Sequence, residues 1–288
     1  MTDVHPPAGA IRAVVSAALA EDLLPMGDIT SSLVPEALVA SARFVARQPG
    51  VVAGTRPAAE AFAQVDGTVE VSWLMDDGLT VPAGGVIGSV RGSLRSILTA
   101  ERTALNLLGH LSGVASATRR YVDAVGSGSA RCRVRDTRKT TPGLRSLEKA
   151  AVRAGGGVNH RANLSESLLI KDNHLGGLSV TEAVAAARSR WPGRYVEVEC
   201  DDVDQLKIAL DAGVDMVLLD NMTPEQVAAC VEIVSSSGRP VPVEVSGRIT
   251  VENAAAYARA GADFVSIGSI THSAPVLDIG LDLDGTGH

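Results

Sequence analysis

Apolar positions along the chain change their period partway through. Between Ala10 and Leu24, Ile11, Val14, Val15, Ala18 and Leu19 recur at helical spacing until Pro25 and Gly27, which predicts an opening amphipathic helix. After Gly27-Asp28-Ile29-Thr30-Ser31 the pattern shortens to alternation. Ala42 to Ala46, Val69 to Trp73 and Val86 to Val90 read as strands, set apart by Pro49-Gly50, Asp77-Gly78 and Pro82-Ala83-Gly84-Gly85. With a helix near Pro57 to Val65, they predict an antiparallel β region. From Ser96, Leu98, Arg102, Leu105, Leu108 and Leu111 mark a long helix, a second continues toward Val125, and Gly126-Ser127-Gly128-Ser129 closes this half.

Beyond it, apolar runs recur at Leu168 to Ile170, Tyr195 to Val198, Met216 to Leu219, Val241 to Val245 and Phe264 to Ile267, with Ala-rich helical stretches between them. This is a βα repeat and predicts a parallel sheet. The runs end in polar residues: Lys171-Asp172-Asn173, Glu199, Asp220-Asn221, Ser246-Gly247 and Ser266-Ile267-Gly268. Side chains at the carboxyl ends of parallel barrel strands line active sites, so polar residues there point to function more than polar residues elsewhere.

Composition narrows the classes. A chain of 288 residues, 45% hydrophobic, has ample material for a core in one large α/β domain or two smaller ones. No apolar run approaches a membrane span, and Met1 to Gly9 is acidic, prolyl and polar where a signal peptide is basic and then apolar, so a cytoplasmic protein without a membrane partner is expected. Cys132, Cys200 and Cys230 are odd in number and widely separated, which predicts small core residues rather than a disulfide framework or a zinc site. With 3% aromatic residues, the chain lacks the stacking platforms of a single-stranded nucleic-acid binder, and no nucleic-acid partner is expected.

Charge is uneven. Arg131 to Lys171 holds ten Lys or Arg against Asp136, Glu148 and Glu166, although the whole chain is −7. Cations focused in a cleft gather small anions even on an acidic protein. Within this stretch, Asp136-Thr137-Arg138-Lys139-Thr140-Thr141-Pro142-Gly143 follows a short strand at Arg131 to Val134, pairing a planar guanidinium fork with a mobile ammonium. A solvated basic turn is the competing reading. Gly155-Gly156-Gly157-Val158-Asn159-His160-Arg161 adds a second cation and a histidine, although its glycines also suit a helix cap. Lys171, at the end of an apolar strand, makes a third cationic station. It suits an electrostatic clamp, and equally a Schiff-base lysine.

Glu199 and Asp220 stand at two further strand ends, one βα unit apart. Carboxylates facing a phosphate site commonly hold Mg²⁺, and they serve equally as salt-bridge partners of the cations; the two readings are compatible. Asn221 is placed to hold Asp220 or a sugar hydroxyl. Ser246-Gly247 and Ser266-Ile267-Gly268 offer backbone N–H groups of the kind that bind phosphate after late barrel strands. Arg102 reads as an exposed helix residue, and His110, His174 and His272 lack metal-ligand spacing.

In order along the chain, G-D-I-T-S (27–31), E-R-T-A-L-N (101–106), D-T-R-K-T (136–140), G-G-G-V-N-H-R (155–161), I-K-D-N-H (170–174), E-V-E (197–199), L-D-N (219–221) and T-H-S (271–273) resemble the quinolinate phosphoribosyltransferase family over nearly the whole length. The resemblance implies an N-terminal α+β sandwich-like domain, residues 1–113 joined by the tail 275–288, followed by an incomplete (open) α/β barrel of TIM-like topology, residues 114–274. It also implies transfer of phosphoribosyl from 5-phosphoribosyl 1-pyrophosphate to quinolinate with decarboxylation and Mg²⁺. The implied assembly is a homodimer with shared active sites, open to higher assembly.

By the same resemblance Arg102 of the partner subunit joins Thr137, Arg138, Lys139, His160, Arg161 and Lys171 around substrate carboxylates and phosphates. Lys139, Lys171, Glu199 and Asp220 are the expected catalytic residues, with Glu199 and Asp220 facing the ribose and its metal, directly or through water. Ser246, Gly247, Ser266 and Gly268 are expected at substrate, and Arg131, Arg133, Arg135, Arg145, Lys149 and Arg153 as flanking charges. The chain departs from the family at Arg248, where small or amide residues are usual, and at Val245, where a smaller residue is common. Three rivals share parts of this pattern: a related molybdenum-transport-associated family, a barrel lyase using Lys171 as a Schiff base, and an anion-binding regulatory dimer.

Overall fold

The computed structural model describes residues 4–284, so the first three residues of the expected polar leader and residues 285–288 of the expected tail lie outside the described residues. In chain order the first half carries α1 (Ala8–Leu23), β1 (Val39–Ala46), β2 (Gly50–Val51), α2 (Thr55–Val65), β3 (Glu70–Trp73), β4 (Thr80–Val81), β5 (Val86–Ser93) and α3 (Leu94–Gly128). Next come β6 (Arg133–Arg135), α4 (Arg145–Ala154), β7 (Leu168–Ile170), α5 (Asp172–Leu175), α6 (Val180–Arg190), β8 (Val196–Cys200) and α7 (Val203–Asp211). The chain continues through β9 (Met216–Asp220), α8 (Pro224–Ser236), β10 (Val243–Ser246), α9 (Val251–Arg259), β11 (Phe264–Ser266), α10 (Ser269–His272) and β12 (Ile279–Leu283).

These elements form two compact units. The first holds the described residues through Arg119, with Lys139–Gly156 and those from Ser269 on; the second holds Arg120–Arg138 and Gly157–Gly268. The expected division after residue 113 falls inside α3, and α4, expected in the barrel half, packs in the first unit. Burial accounts for that: α4 hides Leu147, Ala150, Ala151 and Ala154 and meets α1 and α10 there.

In the first unit an antiparallel sheet runs β12-β1-β5-β3. Strand β1 alternates as its sequence predicts, with Ala42, Phe44 and Ala46 fully buried, while Arg43 and Arg47 on the other face pair with Asp284 and Asp282 beside β12. Phe44 packs edge-on against Phe62 of α2 at 6.0 Å and in a tilted arrangement on Trp73 of β3 at 4.9 Å, so three of the chain's few aromatics make one core. The two helices expected between Ser96 and Val125 are one continuous α3. Gly109 and Gly113 do not break it. They let the 275–277 segment lie against the helix, where a Cβ on Gly113 would sit 2.1 Å from the Pro275 carbonyl oxygen and Leu277 N–H bonds the Gly109 carbonyl at 3.0 Å.

The second unit is a parallel sheet in the order β6-β11-β10-β9-β8-β7, extended beyond β6 by a parallel bridge between Arg135 and Val158. Among the described residues no ladder joins β7 back to β6 or to that bridge, so the barrel is open as the resemblance implies. Strand residues alternate between helix-facing Val196, Val198 and Cys200 and barrel-facing Glu197 and Glu199. The helices start where their sequences cap them: Ser179, Asp202 and Thr223 accept the N–H of Glu182, Gln205 and Gln226, and Pro224 occupies the first turn of α8. All three cysteines are free and buried, as expected, and burial pushes the Cys132 and Cys200 thiols up to about 12. No helix among the described residues is long and apolar enough to cross a membrane.

Candidate active site

Three charged residues form a polar floor inside the second unit. Glu244 in the middle of β10 is fully buried, ion-paired with Arg135 of β6, and accepts from Ser266 Oγ of β11. Arg135 also lies over the Phe264 ring, 4.8 Å from its centroid. Glu197 of β8 is 2% exposed, and burial pushes its carboxyl up to about 7 against the opposing positive charges of Arg135 and Arg161. Glu244 is raised too, by burial first and by the charge of Glu197 second. Arg135 was expected to be a flanking charge, and the pairing with Glu244 corrects that. The floor did not emerge from motif reading, but one signal was present: a Glu flanked by Val on both sides in a parallel strand has to face the barrel interior.

His160 rests above this floor. Its Nδ1 accepts the Arg161 backbone N–H at 2.7 Å, which places the ring proton on Nε2, 3.3 Å from Glu197 and 3.6 Å from Glu244. The buried Asp136 fixes the loop from below, accepting His160 N–H and Asn159 Nδ2, each at 2.7 Å. The leading Asp of D-T-R-K-T is thus a clamp joining β6 to the glycine-loop residues, a role its sequence context does not show.

At the strand ends, Thr137 and Arg138 follow β6 and are half-buried. Arg161 donates to the Ser167 carbonyl at 2.8 Å, and its guanidinium pKa is lowered, by burial first and then by the like charge of Arg138, with Glu197 opposing. Positive charges gathered in this way favour an anion between them in electrostatic terms. Lys171 leaves β7 and is ion-paired with Glu199 of β8, so for Glu199 the salt-bridge reading is realised. Asp220 ends β9 and accepts Asn221 Nδ2 at 2.6 Å, the first of the two roles expected for Asn221.

The loops after β9 and β10 are tightly coupled. Asn221 has φ 57 and Arg248 φ 53, and a Cβ on Gly247 would lie 2.3 Å from the Asn221 side chain. Only glycine fits there. Ser246 and Gly268 are half-buried at their strand ends, and Arg248 is exposed. Ser266 is buried, with its hydroxyl turned to Glu244 rather than outward.

Two expected site residues belong to the first unit. Lys139 is exposed, and its carbonyl accepts Thr271 Oγ1. Arg102 is exposed on α3. Three further histidines make structural contacts: His110 contacts Glu148 at 2.8 Å, His174 Nδ1 accepts Lys171 N–H at 3.0 Å, and His272 meets Ser273 Oγ at 2.6 Å.

An open parallel barrel with guanidinium, ammonium and carboxylate groups at its strand ends defines an anion-handling α/β barrel enzyme. Residues 28–112 match the family described as quinolinate phosphoribosyl transferase, N-terminal domain, and residues 114–282 its C-terminal domain. The chain is 43% identical over 278 residues to the nicotinate-nucleotide pyrophosphorylase [carboxylating] of Mycobacterium leprae, covering 95% of this chain and 97% of that one. Among solved structures it is similar to the nicotinate-nucleotide pyrophosphorylase from Francisella tularensis, with TM-score 0.91, 37% identity and 99% of both chains covered. The enzyme from Ehrlichia chaffeensis gives TM-score 0.88 at 36% identity, over 94% of this chain and 98% of that one. The chain belongs to the quinolinate phosphoribosyltransferase family.

Proposed function

We propose that the protein transfers the phosphoribosyl group of 5-phosphoribosyl 1-pyrophosphate to quinolinate with loss of carbon dioxide, giving nicotinate mononucleotide and pyrophosphate for NAD biosynthesis. The observation that carries this reading is the grouping of Arg138, Arg161 and Lys171 beside the buried His160 at one end of the parallel sheet, in a family whose named members perform this reaction. A dicarboxylate offers each guanidinium a partner of opposite charge. Lys171, ion-paired with Glu199, suits the clamp better than a Schiff-base nucleophile.

The residue types fit the chemistry. The pyridine nitrogen attacks the anomeric carbon of the ribose while pyrophosphate departs, so negative charge grows on the leaving group where preplaced cations stabilise it. When the adjacent carboxylate leaves as carbon dioxide, the electron pair stays on the ring carbon as a carbanion stabilised by the neighbouring quaternised nitrogen, and a proton from solvent then bonds to that carbon. No strong protein base is needed. Holding two anionic substrates in line supplies most of the acceleration, which accounts for the excess of cations over acid-base groups.

Glu199 and Asp220 fit Mg²⁺ in donor type, since both offer hard carboxylate oxygens from neighbouring strands. Bound there, Mg²⁺ would neutralise pyrophosphate charge. Ser246, Gly247 and Gly268 are assigned to the 5-phosphate, Lys139 to substrate anions, and a cytoplasmic location completes the reading. We assign a homodimer in which Arg102 of the partner subunit completes each site; the exposed apolar side chains of Leu24, Met26, Ile29 and Leu33 support assembly with a second copy.

The test incubates the purified protein with quinolinate, phosphoribosyl pyrophosphate and Mg²⁺. Carbon dioxide and nicotinate mononucleotide should appear together in equal amounts. Turnover of nicotinate without carbon dioxide, and none of quinolinate, would overturn the substrate assignment.

A further inference from the structure

The T-H-S segment near the end of the chain has no role in the chemistry described above, yet its threonine touches the residue that matters most in D-T-R-K-T. Thr271 is 2% exposed, and its Oγ1 donates to the Lys139 carbonyl at 2.8 Å across 132 residues of sequence. A helical threonine commonly bonds the carbonyl one turn back. Here the hydroxyl reaches a distant loop instead.

The next two residues are anchored as well, each by a different group. Thr140 Oγ1 accepts Arg145 Nε at 2.9 Å, and Thr141 N–H donates to Glu148 Oε2 at 3.1 Å. Glu148 is fully buried, and its other oxygen lies 2.8 Å from His110 Nε2 on α3. A buried carboxylate is tolerated only when its oxygens are satisfied, so Glu148 holds the loop and α3 at once. Beyond these anchors the backbone turns through Pro142 and Gly143, the latter at φ 82. Every member of this frame belongs to the first unit.

We propose that Thr271 is a positioning residue for Lys139, and that the Glu148–His110 pair is the counter-anchor of the same loop. A lysine side chain has four rotatable bonds, and its ammonium is placed only as well as the backbone it leaves. Fixing the Lys139 carbonyl on one side and the Thr141 N–H on the other sets where that side chain begins. The inference rests on the proposed reaction, in which Lys139 meets substrate anions, and adds a residue that touches no substrate.

The experiment compares Thr271→Val, which keeps the shape and removes the donor, with Thr271→Ser, which keeps the donor. Thr271→Val should lower kcat/KM for quinolinate by about tenfold, the scale of a lost hydrogen bond and a displaced catalytic group. Its melting temperature should stay near wild type, and amides 139–141 should exchange hydrogen faster. Thr271→Ser should keep both wild-type exchange and wild-type kcat/KM within about twofold. Should Thr271→Val fail to fold, Thr271→Ala carries the same comparison, removing the donor without placing a methyl where the hydroxyl stood. Wild-type kcat/KM in the variant lacking the donor, or lost activity with unchanged exchange at 139–141, overturns the proposal. If the wild-type protein turns over no quinolinate, the reaction assignment falls by itself. Exchange at 139–141 then still decides the frame, and equal rates with and without the Thr271 hydroxyl reject it.

Discussion

Glu197 shows how a single buried group links stability to pH. Its carboxyl sits at about 7 in the folded chain and at 4.5 as an ordinary glutamate, because burial outweighs the favourable charges of Arg135 and Arg161. Between those values the native state binds the extra proton, so stability falls as pH rises through this window and levels off above it. Glu197→Gln mimics the protonated side chain and removes the dependence. Its advantage over wild type, from urea denaturation midpoints, should be larger at pH 8 than at pH 4 by about 3 kcal/mol. An advantage independent of pH would contradict the assigned shift. The residues at the strand ends, Arg138, Arg161, Lys171, Glu199 and Asp220, are legible in the sequence because polar side chains after apolar runs are conspicuous. Arg135 and Glu244 are not, since their meaning lies in a pairing across 109 residues.

At the scale of elements, α3 carries a contrast between two glycines. Gly113 faces the 275–277 segment with no room for a Cβ, whereas nothing lies within 4 Å of the Cβ position at Gly126. Helix propensity favours alanine over glycine by about 1 kcal/mol at either place. Gly126→Ala should therefore stabilise the protein by about 0.5–1 kcal/mol. Gly113→Ala should destabilise it by about 1–3 kcal/mol, since a clash with a backbone oxygen exceeds the propensity gain. Thermal denaturation of both variants checks the signs. The helical period between Ser96 and Val125 was legible, but its continuity was not, because a glycine reads as a breaker until the chain packed against it is known. The strands of the second unit were legible within a residue or two from their apolar runs. Strand β12 was not, since Ile279, Leu281 and Leu283 become a strand by pairing with Ala46, Phe44 and Ala42 of a segment far upstream.

At the scale of the molecule, the positive stretch from Arg131 to Lys171 separates into groups with different work. Arg138 and Arg161 form the proposed anion site, Arg135 supports the floor, and Arg145 braces Thr140. The shared-site proposal makes a direct prediction. Arg102→Ala and Lys139→Ala should each abolish most activity, and mixing the two proteins under conditions of subunit exchange should restore up to about a quarter of wild-type activity. That is the fraction expected if random exchange leaves one site in four intact. Proven exchange without recovery would show that each chain completes its own site.

The sequence alone determined the strand-ending polar residues, the βα repeat and the family motifs, because each is written in short-range spacing and residue type. Tertiary structure decided that α4 belongs with the first unit, that Asp136 clamps His160's loop, that Glu197 and Glu244 lie buried beneath it, and that Thr271 holds Lys139. These depend on which distant residues share a desolvated space. Burial changes what a charge or a hydroxyl requires, and spacing along the chain does not record burial.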